Sequence, residues 1–140
     1  MPVHPPRPGA LDFAAALDRA RGAAGNVPLA LVNERTDKLV ADVVELAVTR
    51  RSRRKGLLGR EGLPSSSGMV LAPCFSIHTA FMRFPIDVLF VARDGRAVRI
   101  AHAVRPWRAV ASARAYAAIE FSAGVLEQRD VVVGDRIRLC

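Results

Sequence analysis

The sequence predicts a mainly β, β-rich α+β fold: a compact antiparallel barrel-like domain with one or two short helices. Three observations carry that expectation. Six or seven short β-branched or aromatic runs, separated by turn residues, outnumber the helical patterns. Asp94-Gly95 between two such runs is a strong hairpin signal. The chain has 140 residues, 51% hydrophobic and 24% charged, which suits one unaided core and excludes a disordered or collagen-like chain.

Residues 1–9 are proline-rich, which opposes regular structure, and they lack the apolar stretch of a signal peptide. Leu11, Phe13, Ala14 and Leu17 then recur at helical spacing, so a short amphipathic helix is expected over 10–21, ended by Gly22, Gly25 and Pro28. Residues 1–28 read as a leader that docks on a domain spanning 29–140. Strands are expected over 29–33 and, after a turn at Thr36-Asp37, over 39–48. Thr49 can cap a basic helix over 50–58, which Gly59 stops. A loop over 61–68 leads to strands at 69–72, 75–81 and 86–93. The Asp94-Gly95 turn opens a strand at 97–104. After a Pro-Trp-Arg loop come strands at 116–122 and 136–139.

Charge first suggests a polyanion partner, since the balance is +8 with a pI of about 11.1. Only Lys38 and Lys55 are lysines, however, and the other 19 basic residues are arginines in an alanine-rich chain. A GC-rich coding sequence produces that bias, so most of the excess reads as background. The local cluster Arg50, Arg51, Arg53, Arg54 and Lys55 is the part with nucleic-acid potential. No stacking platform accompanies it, since Trp107 and Tyr116 are alone in their segments. Two cysteines make no disulfide framework, and no run is long enough to span a membrane. The chain is expected to be cytoplasmic.

The segment 73–87 is dense in chemistry. If 74–82 is extended, Cys74, Ser76, His78, Ala80 and Met82 share one face, and Phe75, Ile77, Thr79 and Phe81 form the core face. A thiol, a hydroxyl, an imidazole and a thioether in a row are unusual for a solvent face. Cys74 and His78 could form a nucleophile and base, with His102 as another base, but i and i+4 on a strand lie about 13 Å apart. A zinc site would lack partners. Asp87 sits in the apolar run Ile86 to Val91, where a carboxylate needs a partner. Either Arg83 or the backbone of the Pro85 turn could supply one. Glu120, between Ile119 and Phe121, raises the same question.

Several blocks then match a known family in order. They include Glu45 to Thr49, Gly56 to Arg60, Gly68-Met69-Val70, Ser76-Ile77-His78-Thr79, Phe81 to Phe90, Ile119 to Gly124 and Val133-Gly134-Asp135. Over about 43–139 the chain resembles the DUF192 family, a bacterial and archaeal domain of unknown function. The resemblance implies a compact, mainly β, barrel-like domain. Many members carry Trp-Met-Lys-Asn-Thr where this chain has Phe81-Met82-Arg83-Phe84-Pro85, and many carry an N-terminal export or membrane segment that is not matched here. The family supplies no activity, cofactor or partner to carry over.

The resulting expectation is a non-catalytic module that binds a small anionic ligand or a peptide in a cleft around 74–87. Its ligand-binding residues are expected to be His78, Met82, Arg83, Asp87 and Glu120. The alternative is an enzyme using Cys74 and His78, and the second alternative is weak nucleic-acid binding through Arg50, Arg51, Arg53, Arg54 and Lys55. No cofactor or metal is implied.

Overall fold

The computed structural model describes residues 12–23 and 28–140. Among these, three inner strands buried along nearly their whole length and two partly exposed edge strands build a five-stranded sheet in the order β3-β4-β9-β6-β7. Its strands are β3 (Val43–Ala47), β4 (Ser67–Leu71), β6 (Ile86–Val91), β7 (Ala97–Val104) and β9 (Ala117–Ser122). A three-stranded sheet, β10-β1-β2, joins β1 (Leu31–Asn33), β2 (Lys38–Ala41) and β10 (Ile137–Leu139). A two-stranded ribbon pairs β5 (Ser76–His78) with β8 (Ala109–Ala111). The helices are α1 (Phe13–Gly22), α2 (Arg50–Lys55) and α3 (Val125–Gln128).

The β-rich α+β expectation holds, with two corrections. The sheets do not close into a barrel, and β3 pairs with β4 in parallel. The run expected as one strand over 39–48 breaks at Asp42, whose N–H bonds to Ser66 O, so β2 and β3 enter different sheets. Two elements had no local signal: the three-residue β8 and the single turn of α3.

Strands β4, β9 and β6 are buried along nearly their whole length, so they read as continuous apolar runs rather than alternating ones. Val70, Leu89, Val91, Ile119 and Phe121 join one core cluster with Leu31, Val40 and Ile137 of the smaller sheet. Phe13 and Leu17 of α1 and Leu126 of α3 complete it. The predicted leader helix is therefore built into the core, with Asp12 capping it through Ala15 N–H at 2.8 Å. Residues 1–11 and 24–27 of that leader, including Gly25, lie outside the described residues. Met69, Leu71, Val88, Phe90 and Ala118 join a second cluster with Leu57, Ile77 and Met82. Between β6 and β7 the Asp94-Gly95 turn forms as expected. Gly95 has φ 92°, and a Cβ there would lie 2.2 Å from Ile137 O, so only glycine fits.

Asp87 shows how an acid is accommodated inside this sheet. It is fully buried, and Arg83 is not its partner. Arg83 is exposed and pairs with Glu61 instead. The β6–β7 register slips between Ile86 and Val88, a bulge in which Ala103 takes φ 47°. Asp87 accepts the Ala103 N–H at 2.9 Å, and from the α3 turn those of Gly124 at 3.0 Å and Leu126 at 3.1 Å. These bonds make Asp87 a brace between β6, β7 and α3. Asp135 makes a comparable knot, accepting from Asn33, Arg35 and Val132 N–H.

Replacing Asp87 by Ala strands buried N–H donors, so chemical denaturation should show a loss of about 3 kcal/mol or more. A loss under about 1 kcal/mol is incompatible with the brace.

Candidate functional site

Helix α2 is six residues long and buries none of its side chains, so it needs other anchors. Thr49 and Ser52 form a capping box: Ser52 N–H donates to Thr49 Oγ1 at 3.0 Å, and Thr49 N–H to Ser52 Oγ at 2.9 Å. Arg53 Nη1 donates to Val48 O at 2.9 Å and Ala72 O at 3.2 Å, tying the helix to the ends of β3 and β4. Leu57, just past the helix, is buried in the second cluster. With α2 fixed in this way, Arg53, Arg54 and Lys55 line one side of a pocket of about 240 Å³.

Cys74, Ser76 and His78, on and just before β5, also line the pocket. Leu57, Leu71, Ile77 and Met82 give it apolar walls. Glu120 lines it from the central strand β9, where its register partners are Met69 and Val88. Neither can bond a carboxyl. Glu120 is 4% exposed, and its Oε2 is enclosed without a hydrogen-bond partner. The nearby Arg60 is engaged by Glu45 through two hydrogen bonds of 2.7 and 3.2 Å. Burial pushes the Glu120 carboxyl up to about 7, against the weaker opposing pull of Arg60. Burial also pushes the Cys74 thiol up, and Glu120 adds to this, while the Ser76 backbone and Arg53 oppose it. The thiol donates to Ser76 O at 3.2 Å.

Of the residues expected at a site, the structure brings together Cys74, His78, Met82 and Glu120, and adds Arg53, Arg54 and Lys55 from the basic cluster. Arg50 and Arg51 are exposed outside the pocket lining, as is His102, and Arg83 and Asp87 are also absent from it. The expected alternation over 74–82 holds for the three residues of β5 and for Thr79. Beyond them Met82 is buried, while Phe75 and Phe81 are 62% and 72% exposed rather than in the core. Trp107, alone in its segment, meets Phe81 in space, with ring centroids 4.6 Å apart. That pairing has no local signal. The apolar walls from Leu57 and Leu71 were likewise missed, although the Thr49-to-Ser52 spacing could have indicated a fixed helix there. Among the described residues no group of three or more His, Cys, Asp or Glu is placed to hold a metal, and no helix is long and apolar enough to cross a membrane.

The chain belongs to the DUF192 family, described as "Uncharacterized ACR", whose model matches residues 31–139. That match begins earlier than the blocks recognised from the sequence. Two solved structures are similar. One, a "putative transcription regulator" from Sinorhizobium meliloti 1021, is 25% identical with a TM-score of 0.69, covering 81% of this chain and 97% of its own. The other, a protein of unknown function from Novosphingobium aromaticivorans DSM 12444, is 24% identical with a TM-score of 0.70, covering 85% and 95%. No curated protein matches.

Glu120 has a pH signature. Its folded value of about 7 lies above the unfolded carboxyl range of about 4.3. The folded state therefore gains stability as pH falls from about 7 towards 4.5, and above 7 it carries the cost of a buried charge. Glu120→Gln should be more stable than the parent by about 2–3 kcal/mol at pH 8 and equal to it near pH 4.5. Urea unfolding at the two pH values checks this, and an advantage that does not change with pH counts against it.

Proposed function

We propose that this DUF192 member binds a small organic anion in the pocket between α2 and β5, without turnover. The observation that carries the reading is the enclosed Glu120 carboxyl, which has an unused acceptor at one side of the pocket while Arg53, Arg54 and Lys55 lie at another. A ligand with an anionic group and a separate N–H or O–H donor answers both, and its apolar body suits Leu57, Leu71 and Ile77. Buried acceptors left unpaired are costly, so a donor that reaches Glu120 gains more than it would at the surface. The volume of about 240 Å³ lies below the ~300–1,000 Å³ of drug-sized sites, which favours a metabolite-sized molecule.

Turnover by Cys74 is the weaker reading. The attacking species in such chemistry is the thiolate, and here burial pushes the thiol above its ordinary value, away from the depressed value of a reactive cysteine. Iodoacetamide at pH 7 should therefore alkylate Cys74 no faster than an ordinary free thiol, as read by peptide mass spectrometry after timed quenching. Alkylation well above that rate reinstates the enzyme.

The binding reading is tested by thermal shift and calorimetry with 2-amino acids, 2-hydroxy acids and aminoalkyl phosphates as probes. The best probe should lose about tenfold in affinity in Glu120→Gln and about 5- to 30-fold in Arg54→Ser/Lys55→Ser. If no probe shifts the parent protein, or if all probes shift parent and variants alike, the pocket is not the binding site proposed.

A further inference from the structure

The loops at one end of the β5–β8 ribbon are held by one buried hydroxyl. Thr79, fully buried just past β5, accepts the Arg108 N–H on Oγ1 at 2.9 Å and donates that hydroxyl to Arg105 O at 2.6 Å. Its backbone N–H bonds Arg108 O at 2.8 Å, and its carbonyl accepts Trp107 N–H at 3.1 Å. This clasp sets the turn after β5 beside the loop before β8. On the two segments Phe81 and Trp107 adopt φ 65° and 66°, a left-handed conformation that is a genuine outlier for bulky residues. Burial does not compensate them: Phe81 is 72% and Trp107 60% exposed. The rings touch edge to face. Strain of this kind gathers at ligand clamps and binding sites, where the surrounding structure enforces it.

The charge in the stretch of chain that carries Trp107 is one-sided. Between Asp94 and Glu120 the chain carries Arg96, Arg99, Arg105, Arg108 and Arg114 and no acidic residue. Arg105 and Arg108 bracket Trp107 in the run Arg105-Pro106-Trp107-Arg108, and both are exposed. Arg108 Nη1 donates to Trp107 O, and among the described residues neither arginine has an acidic partner. Arg99 Nη1 donates to Ala111 O, tying the edge strand β7 to β8, so the cations continue from the ribbon onto that edge.

We propose that this surface binds single-stranded nucleic acid, with bases stacking on Trp107 and Phe81 and phosphates meeting Arg105 and Arg108. A single strand alternates flat faces with negative charge, which is the alternation this surface presents in reverse, and stacking needs no particular base. An acidic peptide answers only the arginines. An anionic membrane answers rings and cations together, but it favours one flat patch rather than a track running on to Arg99. None of Phe81, Trp107, Arg105 and Arg108 lines the α2–β5 pocket, so this site and the small-ligand site stand or fall separately.

Trp107 is the only tryptophan in the chain, so its emission reports directly on the surface. An oligothymidylate of about 15 nucleotides should quench it, with affinity falling as salt rises at a log–log slope of about −1.4 for two phosphates. By anisotropy of a labelled oligomer, Phe81→Gly and Trp107→Gly should each weaken binding about 5- to 100-fold. Their thermal stability should be unchanged or raised, since glycine accepts the positive φ freely. Arg105→Ser/Arg108→Ser should flatten the salt slope. Phosphatidylserine vesicles that shift the emission to the blue, while the oligomer leaves it unquenched, make the surface a membrane contact and overturn the proposal. Oligomer affinity unchanged in both glycine variants overturns it as well.

Discussion

The burial of β4, β9 and β6 on both faces is the constraint from which the rest follows. A strand covered on both sides has no solvent face on which to leave a polar side chain, so every acid in it must be answered by the protein. Two acids enter this region, on opposite faces. Asp87 lies in register with Leu89 and Val91, whose face is covered by α1, α3 and the smaller sheet. Glu120 lies in register with Ala118, whose face looks towards α2 and β5. Asp87 finds three N–H donors because a bulge in β7 and the turn into α3 each leave amides outside the β ladder. Glu120 has ladder-paired backbone and the apolar Met69 and Val88 beside it on the sheet, and no donor reaches its Oε2. The same sheet thus holds one acid that the fold has satisfied and one that it has left to the pocket.

Features that cost stability meet at β5. Its three residues form part of the wall opposite α2, and the segment just beyond them enters the Thr79 clasp that enforces the strained Phe81 and Trp107 backbones. Domains are stable by only about 5–15 kcal/mol, so an unpaired buried carboxyl and two bulky residues at positive φ are a large share of the margin. The ribbon is attached at a few points: Cys74 N–H to Tyr116 O links it to the entry of β9, Arg99 Nη1 to Ala111 O links it to β7, and Ile77 and Val110 pack at the second cluster. A small element with few obligations to the core is where such costs can be carried without unfolding the sheet.

What was legible in the sequence was local. The Asp94-Gly95 hairpin, the full extent of β7, the Thr49 cap and the apolar stripe of α1 each depend on residues within a few positions of one another. The burial of Asp87 was legible from its apolar flanks, but its partners were not, being 16, 37 and 39 residues away. The period-two pattern over 74–82 held from Ser76 to Thr79 and failed beyond, because it assumed one strand where the chain turns after Thr79, and a single turn exchanges inside for outside. Hence Phe81, expected in the core, is exposed, and Met82, expected on the polar face, is buried. The convergence of Glu120, His78 and the end of α2 joins segments more than 20 residues apart, which neither spacing nor periodicity records.

The same limit applies to charge. The arginine excess reads as compositional background while it is only counted, yet several of these arginines do what lysine cannot. Arg35 reaches both oxygens of Asp135 and the carbonyl of Asp130, Arg60 grips Glu45 through two nitrogens, and Arg53 fixes α2 by two carbonyls. Arg35 and Arg60 use two nitrogens of the planar guanidinium fork, so a lysine there would keep the charge and lose the joint, whereas Arg53 makes both of its bonds through Nη1. Once those arginines are assigned to the fold, the remaining positive charge is unevenly spread. It gathers in the stretch between Asp94 and Glu120, where five arginines share no acid. Like charges on a folded surface repel one another, and among the described residues none of the five is in an ion pair. That local imbalance, rather than the net charge of the chain, is the electrostatic feature that calls for a partner.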